Sequence, residues 1–112
     1  MSHDKFKSCI EVCIECAQAC EHCADACLSE SHVAKMTNCI RTDRDCASLC
    51  LTAVALMSRD SQFATQFCAM LADVCEACAK ECEQHEMQHC QECATACNKC
   101  AAECRDMAGV KS

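Results

Sequence analysis

The sequence has no proline, no tryptophan and no tyrosine, and its one glycine, Gly109, lies close to the end. Without Pro and Gly, strand-and-turn architectures lack the residues that build their turns. Long helices with short connections remain, and 18 alanines favour the same outcome. Three Phe residues and no other aromatics give no platform on which bases could stack. A net charge of −7 withholds the basic face that phosphates require. Nucleic acid is therefore not an expected partner. Leu, Ile, Val and Phe number only 16 of 112 residues, and no run approaches the ~20 apolar residues of a membrane helix. No membrane partner is expected either. The first 30 residues contain no apolar signal core, no twin arginine and no small-residue cleavage site, so the chain reads as cytoplasmic. No catalytic triad, phosphate loop or paired carboxylate site is present, so the chain does not read as an enzyme.

Such a thin apolar complement at this charge would ordinarily mean disorder. The cysteines argue otherwise. There are 18, spaced three and four apart. Cys9, Cys13, Cys16, Cys20, Cys23 and Cys27 form a heptad seam in which sulfur takes every core position. Cys90, Cys93, Cys97, Cys100 and Cys104 repeat it near the end. Between them lie Cys39, Cys46 and Cys50, then Cys68, Cys75, Cys78 and Cys82. The pattern predicts an all-α, up-down-up-down four-helix bundle with a cysteine-lined core, a single domain over residues 1–112. The helices are expected from Asp4 to Cys27, Ser31 to Met57, an Asp60 or Ser61 cap to Gln84, and Met87 to Met107. Ser2 is a candidate cap for the first helix and Ser29 or Ser31 for the second. Gly109 closes the fourth. The break before the fourth helix rests on a register slip. Cys75, Cys78 and Cys82 project onward to His85 and His89, whereas the next cysteines are Cys90 and Cys93. That marks a turn near His85 to His89, a stutter in one long helix being the alternative.

Small residues flank the first seam: Ile10, Ala17 and Ala24 on one side, Val12, Ala19 and Ala26 on the other. They allow close approach of neighbouring helices. Glu11, Glu15, Gln18, Glu21, His22 and Asp25 make the solvated face. The second seam reads Met36, Cys39, Asp43, Cys46, Cys50, Ala53 and Met57, and the third includes Leu71. Asp43 is the one charged residue on a seam. It is a candidate ligand, unless the register turns Thr42 inward instead. Ile14 and Leu28 fall outside the seam, as strays or an oligomer contact. The two ends of such a bundle differ. His32, Met36, His85, Met87 and His89 gather at one, and Phe6, Val54, Met57, Phe63, Phe67, Met107 and Val110 at the other. The first is a soft, polar mouth through which metal would enter, and the second an apolar plug. His3 and His22 read as plain surface. Replacing His85 and His89 with Ala is expected to slow loading.

Seven pairs are spaced CxxxC, such as Cys9/Cys13 and Cys100/Cys104, and five CxxC, such as Cys13/Cys16. Thiols this close on one helix are poorly directed for disulfides, and a disulfide scaffold would need loops. Both sulfurs of a pair can instead reach one soft ion: Cu(I), Zn(II), Cd(II) or an iron–sulfur cluster. The ferredoxin cysteine run and its proline are missing. A thioredoxin-type CxxC would need strands. Charge separates the others. Zinc with four thiolates leaves two uncompensated charges per ion, so about four ions would leave a strongly negative core. Cu(I) brings one charge and accepts two or three sulfurs, so roughly one ion per thiolate leaves the core near neutral. The expected cofactor is Cu(I), multiple ions per chain, held by all 18 cysteines. Met36, Asp43, His85 and His89 are candidates for metal entry or auxiliary ligation. A metallothionein-like Zn(II)/Cd(II) buffer is the alternative, and bound metal should add to stability.

The Cys-lined helices and the CxxxC pairs Cys9/Cys13 and Cys100/Cys104 resemble the bacterial four-helix-bundle copper storage proteins, specifically their cytosolic branch. The likeness covers nearly the whole chain. It implies Cu(I) ions along the bundle core, an open end with His or Met, a closed apolar end, and a homo-oligomer, a tetramer of bundles. Partners implied by this reading are copper ions, with a copper chaperone or cuproenzyme at either end of the traffic. The second helix departs from full occupancy, with three cysteines.

Overall fold

The computed structural model describes residues 5–109, and it places four helices in sequence. They are α1 (Lys7–Cys27), α2 (Thr37–Ser58), α3 (Ala64–Glu83) and α4 (Gln88–Ala108), with a 3₁₀ turn at Val33–Met36 before α2. Among the described residues there is no strand. Twenty to 22 residues make a rod of about 30 Å, and the bundle extends 48 × 25 × 18 Å. α1 packs on α2 and α4, and α3 packs on the same two. The start of α1 meets the end of α4 through Cys9 and Cys104. The start of α2 meets the end of α3 through Cys39 and Cys82. Adjacent helices therefore run antiparallel, the up-down-up-down order that the spacing predicts.

The seams face inward as expected. Every cysteine is buried, together with Met36, Asp43, Ala53, Met57 and Leu71. Ala17, Ala24, Ala47, Ala72, Ala79, Ala94 and Ala101 fill the helix–helix contacts at 3% exposure or less. These methyl-sized contacts let the backbones come close enough for sulfurs of different helices to touch. Glu11, Glu15, Gln18, Glu21, His22 and Asp25 are all exposed.

Boundaries differ where no periodicity marks them. α2 begins at Thr37, not Ser31. Leu28, Ser29 and Glu30 tighten the end of α1 by donating to Asp25, Ala26 and Cys27 carbonyls, and the 3₁₀ turn then carries the chain to Thr37. Neither Ser29 nor Ser31 caps it, and none of the four helices has a side-chain N-cap hydrogen bond. α3 begins at Ala64 after Phe63, so Asp60 and Ser61 are not its N-cap. Ser61 Oγ instead accepts the Phe63 N–H at 3.1 Å. Phe63 consequently points outward, 54% exposed, and is no part of the plug, because Ala64 takes the seam position. The break before α4 is the turn, with Gln84 to Met87 outside both helices. Ser2, His3, Asp4 and Val110 lie outside the described residues.

Two helix ends use the left-handed conformation. Gly109, at φ 77°, closes α4 as expected. At the end of α2 the residue is Asp60, φ 53°. Ser61 N–H donates to Leu56 O at 2.9 Å and Asp60 N–H to Met57 O at 3.1 Å, the paired bonds of a Schellman motif. A side chain at that φ is strained. The contact it gains, Lys5 Nζ at 4.0 Å, is exposed and contributes little. Asp60→Gly should therefore stabilise the metal-free, reduced protein by about 0.5–1 kcal/mol in urea unfolding. An unchanged or lower midpoint would show that the aspartate offsets its own strain.

Candidate metal centre

Each helix contributes one column of sulfur to the bundle axis. Cys13 and Cys100 approach to 3.6 Å, Cys16 and Cys97 to 3.7 Å, Cys20 and Cys97 to 3.6 Å, and Cys46 and Cys75 to 3.6 Å. Cys16 and Cys46 join the α1 and α2 columns at 3.9 Å. All 18 thiols are free and buried. An ion with metal–sulfur bonds of about 2.3 Å needs its sulfurs about 3.8 Å apart. The observed gaps match without backbone movement.

Groups of four ligand atoms within 4.8 Å of one another recur along the axis, and they overlap. Cys16 and Cys46 belong both to a set with Cys50 and Cys75 and to one with Cys20 and Cys97. Cys20 and Cys97 belong in turn to a set with Cys78 and Cys93. Cys23 and Cys39 serve one set with Cys27 and Cys90 and another with Asp43 and Cys82. Overlapping sets cannot all be filled by separate four-sulfur ions. They can be filled by ions that share bridging thiolates.

The register question at α2 is resolved by burial. Asp43 is fully buried, and Thr42 turns to the helix surface, donating to Asn38 O at 2.9 Å. Asp43 Oδ1 accepts from Cys78, Cys93 and Cys82 at 3.2, 3.3 and 3.4 Å, and Oδ2 from Cys39 at 3.7 Å. Burial, then the facing Cys93, Cys78 and Cys23, push its carboxyl up to about 12. It is a neutral acid inside a ring of thiols, placed where a ligand oxygen would sit once it sheds its proton.

The ends are unlike. At one, Met36 is buried and His89 Nδ1 lies 3.3 Å from Cys23 Sγ and 3.5 Å from Cys90 Sγ. The neighbouring Cys39 and Cys82 thiols, with a smaller contribution from the His89 ring, hold the Cys23 thiol below its ordinary range. Burial pushes the neighbouring Cys27 and Cys90 up. Burial lowers the His89 ring, but its hydrogen bonds to Cys23 and Glu30 outweigh that and raise it. His85 turns aside, its Nε2 3.1 Å from Glu81 Oε2, and His32 is exposed. Of the two histidines at the fourth-helix turn, His89 is the one whose ring meets the thiols. At the other end Phe6 and Met57 are buried, and Cys68 donates to Met57 Sδ at 3.8 Å. Sequence reasoning missed the two carboxylates that hold the histidines. Glu81 has a local signal, four residues before His85. Glu30 has none.

The family model for copper storage proteins matches residues 2–109. The chain belongs to that family. Among solved structures, it is 50% identical to one described as Cu(I)-bound copper storage protein BsCsp3, covering 93% of this chain and 98% of that one, TM-score 0.90. An apo form of copper storage protein 3 from Bacillus subtilis matches at 50% identity, 92% and 98% coverage and TM-score 0.88. A cytosolic copper storage protein from Streptomyces lividans, described with five coppers, matches at 41% identity, 99% and 98% coverage and TM-score 0.91. Among curated proteins, an uncharacterized cysteine-rich protein of Bacillus subtilis, YhjQ, is 51% identical over 76 residues, 68% of this chain and 70% of its own length.

Asp43 makes metal-free stability depend on pH. An unfolded chain with its carboxyl at 3.8 releases the proton that the fold retains. Stability should therefore fall as pH rises from about 4 to 7, by at most ~1.4 kcal/mol per pH unit from this group. Asp43→Asn should be more stable than the parent at neutral pH and show a shallower slope in reducing urea titrations. Parallel slopes for the two proteins would refute a proton on Asp43.

Proposed function

We propose that this chain is a cytoplasmic store that sequesters many Cu(I) ions in one bundle domain spanning residues 1–112. The ligands are the 18 core thiols, with Asp43 and His89 as auxiliary ligands and Met36 beside the mouth. The observation that carries this reading is the sharing of thiols between overlapping sets of four. Each bound Cu(I) displaces a thiol proton to solvent, so charge stays nearly balanced as the column fills, and bridging sulfurs serve two ions at once. Isolated tetrahedral zinc sites would leave overlapping sets empty and the core negative. Relatives described as Cu(I)-bound, or loaded with five coppers and ten copper equivalents, support the reading. The description of the Streptomyces relative as cytosolic supports the cytoplasmic assignment.

Copper enters at the His89 end, where Cys23 is the acidified thiol, while Phe6 and Met57 block the opposite end. The chain has a storage role, not an enzymatic one. It lowers free copper, protecting other thiol and iron–sulfur sites, and exchanges copper with a chaperone or a cuproenzyme. It acts as a homo-oligomer, a tetramer of bundles. Exposed Ile14 and Leu51, which line one groove on the outer face, support self-association through apolar contact.

An anaerobic Cu(I) titration of the reduced protein against a competing chelator, with zinc run in parallel, tests the reading. The expected outcome is tight uptake near one copper per cysteine, with only a few weakly held zinc ions. Saturation at about four ions, or zinc that survives copper competition, would replace the store with a tetrahedral-site buffer.

A further inference from the structure

The His89 ring touches thiols on one side and a carboxylate on the other. Nδ1 lies 3.3 Å from Cys23 Sγ and 3.5 Å from Cys90 Sγ. Nε2 lies 2.9 Å from Glu30 Oε2. The two residues are 59 positions apart, and the side chains of His89 and Glu30 are only 14% and 31% exposed. Glu30 is itself fixed, since its N–H donates to Cys27 O at 3.2 Å in the turn that ends α1. The end of α1 is thus tied to the first turn of α4 across the mouth of the thiol column.

We propose that Glu30 is the positioning residue of the copper entrance, holding the His89 ring so that Nδ1, once its proton is displaced, presents its lone pair to Cys23 and Cys90. An ionised carboxylate only accepts hydrogen bonds. Nε2 must therefore keep its proton, so when the imidazolium sheds one proton it leaves from Nδ1, the nitrogen that faces the thiols. Without Glu30 the ring is free to rotate about its side-chain bonds or to exchange tautomers, and either move takes the lone pair off the thiols. Carboxylates that fix ligating histidines in this way commonly contribute ten- to a hundredfold to metal affinity or activity. Glu81 holds Nε2 of His85 in the same manner at 3.1 Å, but from the last turn of α3 to the connection that follows it, so it ties no two helices together. The proposal rests on the copper reading for its function, but not for its geometry.

The first test needs no metal. A two-bond proton–nitrogen-15 correlation spectrum of the reduced wild-type protein, at a pH where the ring is neutral, reports which nitrogen of His89 carries the proton. The expected pattern is Nε2 protonated and Nδ1 bare. Glu30→Ala should convert it to a mixture of tautomers. A proton on Nδ1 in the wild type, or an unchanged pattern in Glu30→Ala, overturns the proposal. The second test is stopped-flow uptake of the first Cu(I) equivalents delivered by a chelator. Glu30→Ala should slow it on the order of tenfold, and should slow His89→Ala no further, because the two residues act as one unit. Full-speed loading in Glu30→Ala, or additive losses in the double variant, overturns it. If the wild type takes up no copper, the storage reading fails while the tautomer result still judges the geometry.

Discussion

Sulfur-to-sulfur contact between helices is the interaction on which everything else in this molecule depends. One helical face can offer a soft ion two thiols, three or four residues apart, but always from one side. The remaining ligands must come from neighbouring helices, at separations of 3.6–3.9 Å. That requirement fixes the flanking residues. Alanines at the helix contacts set a short distance between backbones, and larger side chains there would hold the sulfur columns apart. The dense packing of small residues and the row of overlapping ligand sets are thus one design seen from two directions.

Polarity along the axis follows from what the helices place beyond the last cysteines. Phe6 and Met57 are buried at one end. At the other the column reaches an imidazole held between a thiol and a carboxylate. Asp43 stands between them as the one buried carboxyl among the described residues, its proton held by burial and by the facing thiols. A cation entering beside it reverses the local electrostatics.

Most of the helical core was legible from spacing, because a thiol seam of alternating threes and fours has no other compact solution than a bundle. Even the turn before α4 could be read, from the one-residue slip between the Cys75 and Cys90 registers. Burial of Asp43 required the structure, since one seam position could have turned either Asp43 or Thr42 inward. What stayed illegible lies off the periodic faces. The 3₁₀ turn at Val33–Met36 and the left-handed Asp60 follow from backbone hydrogen bonding at helix ends, which leaves only weak sequence marks. Phe63 was misjudged because an aromatic at a helix start is drawn to the core in expectation, while the register gave that place to Ala64. Glu30 escaped because its partner is 59 residues away, brought close only by the antiparallel order of α1 and α4.

A core of cysteine and alanine has another consequence, in conformational entropy. Long apolar side chains lose rotamer freedom when they are packed, and that loss opposes folding. Alanine has none to lose, and cysteine has a single short torsion, so an interior made of the two is ordered at little entropic cost. The few large buried side chains, Phe6, Met36, Met57 and Leu71, are sparse. The fold can thus stand with its ligands already arrayed, and incoming ions meet a rigid lattice of donors instead of having to organise one.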